Sequence, residues 1–492
     1  MKKIKIILAL LLFASISSCD EFLSEIPDNR TQVDTPEKIS ELLVNAYPDA
    51  CYMEFAETMT DNVFDSGDPG LFNTQNTENY NWEMNSNSSN LESQERYWDA
   101  CYKAIAHANT ALRAIEELGS PGNLNPQKGE ALLARAYAHF MLVSFWSKRY
   151  DPATADTDLG IPYLTEPEDV LIKKYKRNSV AEVFGYLESD IEEGLKYVTS
   201  EYNHPKFHFN KEAAKAFASR FYLIKGNWNR VIELTDQLAA NPDRKLRDFA
   251  YYQSLDYSTQ FRIYAEPTQD TNLLIASVLS NYSRSFYLNR FQLTLSRQDE
   301  VLGAATNFFN KYWFYVPLSY NNNTAFVPKF DEYFKYTNAN AGIGNGYDAL
   351  VLFSNDEVYL NRIESLVMTN RMDEALAALQ YFIGIRTMDY DPETDILTNE
   401  LIVSKYPVIP NEYTPFYALT DLQNSYIKAI AEIRRRDFIH EGIRWFDIKR
   451  FNLEVTHQIY NEPTNVLTKD DNRRALQIPL QASINGIEKN PR

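Results

Sequence analysis

Tyr312, Trp313, Phe314 and Tyr315 stand in one unbroken aromatic run. In an extended strand successive side chains point to opposite faces, so Trp313 and Tyr315 share one face and Tyr312 and Phe314 the other. Periodicity leaves two readings open: both faces are buried, or one face packs and the other is a flat aromatic platform. A platform of that kind does recognisable chemistry. The C–H faces of a sugar ring stack on aromatic rings while rim Asn and Asp side chains bond the hydroxyls, and the same surface would grip a peptide. Tyr282, Arg284, Tyr287 and Tyr320, with Asn321, Asn322 and Asn323, would complete such a site. Phe72 and Asn73 are further ligand candidates, on a polar stretch rich in Asn, Ser, Asp and Gly that spans residues 60–90 and reads as a long loop.

Other chemistries find less support. There is no G-x-S-x-G, no H-E-x-x-H and no other nucleophile motif. The 67 acidic residues leave a glycosidase pair possible by count, yet no segment frames two carboxylates for that work. Catalytic residues are therefore not expected, and a surface glycoside hydrolase is the rival reading. A helical-repeat assembly adaptor is a third. No Cys/His spacing matches a zinc site. His204 and His208 are four apart, but Pro205 interrupts a helical pair. The Asp-rich stretch 151–160 lacks the sixth-position Gly and terminal Glu of an EF-hand. No metal and no cofactor are expected. Cys51 and Cys101 read as buried free thiols, with a disulfide left open.

The first residues carry an address. Lys2, Lys3 and Lys5 form a positive region, Ile6 to Ile16 an apolar run, and Ser17 and Ser18 precede Cys19. This pattern is similar to a bacterial lipobox, with residues 1–18 as signal peptide and Cys19 as the lipidated first residue of the mature chain. No later stretch has the ~18 unbroken apolar residues of a transmembrane helix. The chain has 492 residues, 44% hydrophobic and 24% charged, an ordinary globular composition. A net charge of −18 argues against nucleic acid and against anionic headgroups as partners.

Helices must position the candidate residues. Asp34, Thr35, Pro36 and Glu37 form a helix start. Trp98, Cys101, Ile105, Ala108, Leu112 and Ile115 recur at three-and-four spacing, and a second helix runs from Glu130 to Trp146. Residues 216–242 and 358–382 each read helix, turn, helix, with turns at Lys225–Asn227 and near Asn370. Residues 421–451 supply another pair or one broken helix. The reading is mainly α: about four tetratricopeptide-like pairs, near 94–148, 178–242, 355–386 and 421–452. A long irregular, partly β insertion at 243–350 interrupts them, with β-prone pieces at 273–280, 286–295 and 312–317. Trp82 and Trp98 read as scaffold. The charges of 434–450, among them Asp437, Glu441, Arg444 and Asp447, are expected to pair within their own run.

Ordered motifs along the chain then resemble the SusD/RagB family of lipoproteins. Cys19-Asp20-Glu21-Phe22-Leu23 with Pro27 is similar to its leader. Tyr80-Asn81-Trp82, then Trp98, Tyr102, Ile105, Ala108 and Asn109, resemble its W-x-x-x-Y-x-x-I-x-x-[AC]-N series; Ala134 to Tyr137 and Leu159 to Leu164 follow. Leu360, Arg362 and Glu364 fit next, with Ile363 where Ala is usual. Residues 434–450 and the Ile478-Pro479 … Asn490-Pro491 tail complete the series. An acidic residue expected after Pro479 is absent. The resemblance implies a single SusD-like domain over 19–492, anchored in the outer membrane and facing the exterior. It implies capture of oligosaccharide, or of peptide in some members, and handover to a SusC-like TonB-dependent transporter.

Overall fold

The computed structural model describes residues 33–67, 73–87, 89–168, 173–243, 245–315, 317–321 and 323–492. The signal region, Cys19, Phe72 and Asn322 lie outside the described residues.

Many of the helices begin where a side chain can take up orphaned backbone donors. In α1 (Pro36–Leu43), Thr35 accepts from the Lys38 amide and Pro36 opens the helix. α2 (Met53–Thr58) is buried throughout. The polar stretch expected as a loop contains α3 (Thr74–Tyr80), because Asn73 caps it by accepting from the Asn76 amide. α4 (Gln94–Glu117) starts at Ser93 and buries Trp98, Cys101, Ile105, Ala108 and Ile115. α5 (Asn125–Trp146) is buried on nearly all sides, as befits a helix packed between α4 and α6 (Val180–Tyr197). A reciprocal box between Ser179 and Glu182 opens α6.

α7 (Lys211–Lys225) ends at Gly226, whose φ of 79° suits glycine, and Asn227 caps α8 (Trp228–Ala239). The insertion holds the short helices α9 (Phe249–Gln253), α10 (Tyr257–Tyr264), α11 (Tyr282–Ser285) and α12 (Leu295–Leu302). The repeats resume with α13 (Asn355–Met368) and α14 (Met372–Arg386), which turn at Asn370 with φ 59°. α15 (Asn399–Lys405) packs on α16 (Asp421–Asp437), and α17 (Ile443–Arg450) follows. α18 (Leu480–Ile484) lies near the C-terminus. The helical pairs α4/α5, α7/α8, α13/α14 and α16/α17 form the tetratricopeptide-like scaffold.

The insertion is built differently from its sequence reading. Its main sheet is antiparallel, ordered β2 (Asn272–Leu279), β7 (Ile343–Ser354), β6 (Asp331–Asn338). Only β2 matches an expected piece. Residues 286–295 contain just β3 (Phe291–Gln292), paired with β1 (Phe64–Asp65), before α12 begins. Residues 312–315 form no strand; Trp313 makes one isolated bridge with Thr387. Two further small sheets pair β4 (Leu318–Ser319) with β5 (Ala325–Phe326), and β8 (Val455–His457) with β9 (Asn465–Leu467).

Buried ion pairs join the scaffold, and they correct the expectation for residues 434–450. Asp447 does pair locally, with Arg434 at 3.2 Å and Arg450 at 2.8 Å. The other charges reach across the molecule: Asp437 to Arg386, Glu441 to Lys329, and Arg444 to Asp61. A buried charge needs a partner wherever the fold places one, and the nearest partner lies on another element. Trp82 and Trp98 are scaffold; the Trp82 indole donates to the Met59 carbonyl at 3.0 Å. Cys51 and Cys101 are buried free thiols.

Candidate ligand-binding surface

The aromatic run divides as alternation requires, but its tryptophan face is the core face. Trp313 is buried, its indole donating to Thr306 Oγ1 at 2.8 Å, with the Arg436 guanidinium 5.6 Å from the ring centroid. Tyr315 is buried too, its hydroxyl donating to Asp437 Oδ1 at 2.7 Å and its ring edge-on to Phe249. The physical reason is Asp437: a buried carboxylate held by Arg386 takes a further donor from Tyr315. Tyr282 is likewise buried and donates to the His440 carbonyl at 2.8 Å. Trp313, Tyr315 and Tyr282 therefore offer no stacking face. Tyr312 is exposed on the opposite side of the run.

Two other candidates do meet. The rings of Tyr287 and Tyr320 lie 5.1 Å apart at 58°, and Tyr287 stacks on Phe326 at 4.7 Å. Phe326 rests in turn on Phe261 of α10, 5.7 Å away and nearly parallel. Tyr320 is 55% exposed, and Tyr257, one turn before Phe261, is 61% exposed. Burial is the main cause that pushes the Tyr287 hydroxyl pKa up, and the hydroxyls of Tyr320 and Tyr257 add to it. Tyr257 had no signal of its own beyond its i, i+4 spacing to Phe261.

The loops beneath this patch are held firmly. Asn321 Oδ1 accepts from the amides of Asn323 at 2.8 Å and Thr324 at 2.9 Å, a local Asx turn that fixes Tyr320. Asn323 Nδ2 donates to the Ser66 carbonyl at 3.3 Å, and Arg290 makes a forked pair with Asp65 at 2.8 and 2.7 Å. Asn73 belongs to the same joint rather than to the open surface: its amide donates to Glu54 at 3.1 Å and to Asn289 at 3.2 Å. Arg284 is exposed and forms a forked pair with Glu332 of β6.

Behind the patch, Glu54, Glu92 and Asp348 are buried and receive hydrogen bonds from neutral groups. Ser285 and Asn73 serve Glu54, Ser280 and the Asn281 amide serve Glu92, and Ser283 and Ser280 serve Asp348. Burial raises all three pKa values; for Glu54 burial and then Glu92 push it up to about 8. Among the described residues, no group of three or more His, Cys, Asp or Glu side chains has metal-holding geometry.

The fold defines the class first: a tetratricopeptide-like helical scaffold carrying an irregular insertion that presents tyrosines to solvent. Within that class the chain resembles SusD-like proteins. Residues 21–223 match the SusD-like family model described as starch-binding, associating with the outer membrane. A SusD superfamily protein from Bacteroides thetaiotaomicron superposes with a TM-score of 0.66 at 19% identity, covering 93% of this chain and 100% of that one. A putative sugar binding protein from Bacteroides vulgatus gives 0.68 at 18%, covering 94% and 99%. SusD-like protein P38 from Formosa agariphila is 29% identical over 195 residues, 38% of this chain. That match spans 33% of the curated relative's length.

Proposed function

We propose that the protein captures an oligosaccharide at the outer-membrane surface and passes it, uncleaved, to a SusC-like TonB-dependent transporter. Lipid attached at Cys19 would hold it there, facing the exterior. Among the described residues no helix is long and apolar enough to cross a membrane. The observation that carries the reading is the pairing of exposed Tyr320 with half-buried Tyr287, backed by Phe326 and Phe261, with exposed Tyr257 one turn before Phe261. Aromatic rings on rigidly held loops stack on sugar rings at little entropic cost, because their conformation is fixed before the ligand arrives. Handover suits such a surface: stacking contacts are individually weak, and tethering beside the transporter raises effective concentration.

The test is binding of residues 20–492 to a panel of polysaccharides and oligopeptides, with Tyr287→Ala/Tyr320→Ala alongside. Glycan binding that the double change lowers at least tenfold, with no new reducing ends over hours, supports the proposal. Binding of peptides alone would replace sugar by peptide as the ligand, and release of shortened glycan would make the protein a hydrolase.

A further inference from the structure

β6 is the outer strand of its sheet and stands largely in solvent. Glu332, Phe334 and Tyr336 alternate onto one of its faces. The register sets Phe334 opposite Gly346 and Tyr336 opposite Gly344. Gly344 is required there, since a side chain would meet backbone, whereas one at Gly346 would displace only the Glu332 carboxylate. A Cβ on Gly344 would come within 2.7 Å of Phe334 Cε1 and 2.3 Å of the Lys335 carbonyl oxygen, and one on Gly346 within 2.5 Å of the Glu332 carboxylate. No side chain from β7 therefore covers these rings, which are 45% and 59% exposed and meet edge-on at 5.0 Å.

This face continues into the tyrosine patch. Arg284 lies three residues before Tyr287, pairs with Glu332, and reaches within 3.5 Å of the Cβ position at Gly346. The order along the surface is Tyr287, Arg284, Glu332, Phe334, Tyr336. Resting on the reading above, we infer that the Phe334–Tyr336 face of the β6–β7 hairpin is a remote subsite of the same surface, so that the ligand is an extended polymer chain. The strand rise alone puts Tyr336 about 13 Å beyond Glu332. Between the two aromatic ends the Arg284–Glu332 pair presents donors and acceptors for hydroxyls, and the rings at either end stack.

The test is a titration series over oligomer length, using maltose to maltodecaose for starch or the equivalent ladder of whichever panel glycan binds. The wild-type chain is expected to gain about tenfold or more in affinity from the shortest bound oligomer to the longest, because a second weak site joins the first. Tyr336→Ala abolishes that gain and leaves the shortest oligomer unchanged. Tyr336→Trp keeps the gain, and so does Lys335→Ala on the opposite face. Equal affinity at all lengths in the wild-type chain, or a gain that survives Tyr336→Ala, overturns the inference while capture stands. Failure of every length to bind overturns both.

Discussion

At the residue scale, the tyrosines sort by their partners. Tyr315 gives its hydroxyl to a buried carboxylate, so Tyr315→Phe should cost about 1.5–3 kcal/mol in denaturant unfolding and leave ligand affinity alone. Tyr320→Ala, at an exposed position, should shift stability by no more than about 0.5 kcal/mol while weakening binding. Acid–base behaviour is set by buried groups that lack opposite charges. Glu54, raised to about 8 by burial and Glu92, binds a proton in the folded chain that the unfolded chain releases near its ordinary pKa of 4.5. Its contribution is full below pH 4.5 and is lost as pH rises through 8. Glu54→Gln should therefore flatten the fall in melting temperature between pH 6 and pH 9. On the acid side, burial lowers His457, stacked between Tyr80 and Trp82, to about 4, so its neutral form is lost with stability as pH falls from 6.5 through 4. The alternation of residues 312–315 was legible, but not which side faced inward. Thr306, Arg436 and Asp437 decide that, and two of the three lie over a hundred residues away.

At the element scale, the helices of the scaffold could be read from their regular apolar spacing, most sharply where a polar cap precedes it, as Ser93 does ahead of Trp98 and Cys101. The β6–β7 hairpin could not be read so. Its outer strand is exposed along most of its length, and an alternating buried face is the signal that reveals a strand in sequence. The same lack of a buried face makes β6 available for binding. Turn chemistry offers a sharper test of the scaffold. Gly442 opens α17 with φ 70°, and a Cβ there would sit 2.7 Å from that of Ala56 in α2. Gly442→Ala should destabilise by about 1–3 kcal/mol through strain and crowding together, read as a lower urea midpoint at unchanged slope.

At the scale of the whole molecule, the buried arginine–carboxylate pairs tie early, middle and late segments into one body. Arg386 bonds both Asp356 and Asp437, each at the head or tail of a different helix, while Arg220 bonds Glu357. Removing one member strands the others in a dry interior. Arg386→Met should thus cost about 3–5 kcal/mol and shift the unfolding of every segment together, measurable as one cooperative calorimetric transition at lower temperature. Of these residues only Asp437 is singled out from the sequence, because partners so far apart along the chain are visible only once it is folded.

The two interior thiols have a practical consequence. Cys51 and Cys101 have no exposed surface, and burial pushes both thiols well above their ordinary pKa. A thiolate is what a sulfhydryl reagent attacks, so in residues 20–492 neither sulfur should react until the surrounding helices part. The rate of labelling by such a reagent would then serve as a built-in clock for opening of the scaffold, read without any introduced probe. Bound glycan should slow that clock only to the extent that loosening the core also disturbs the tyrosine surface.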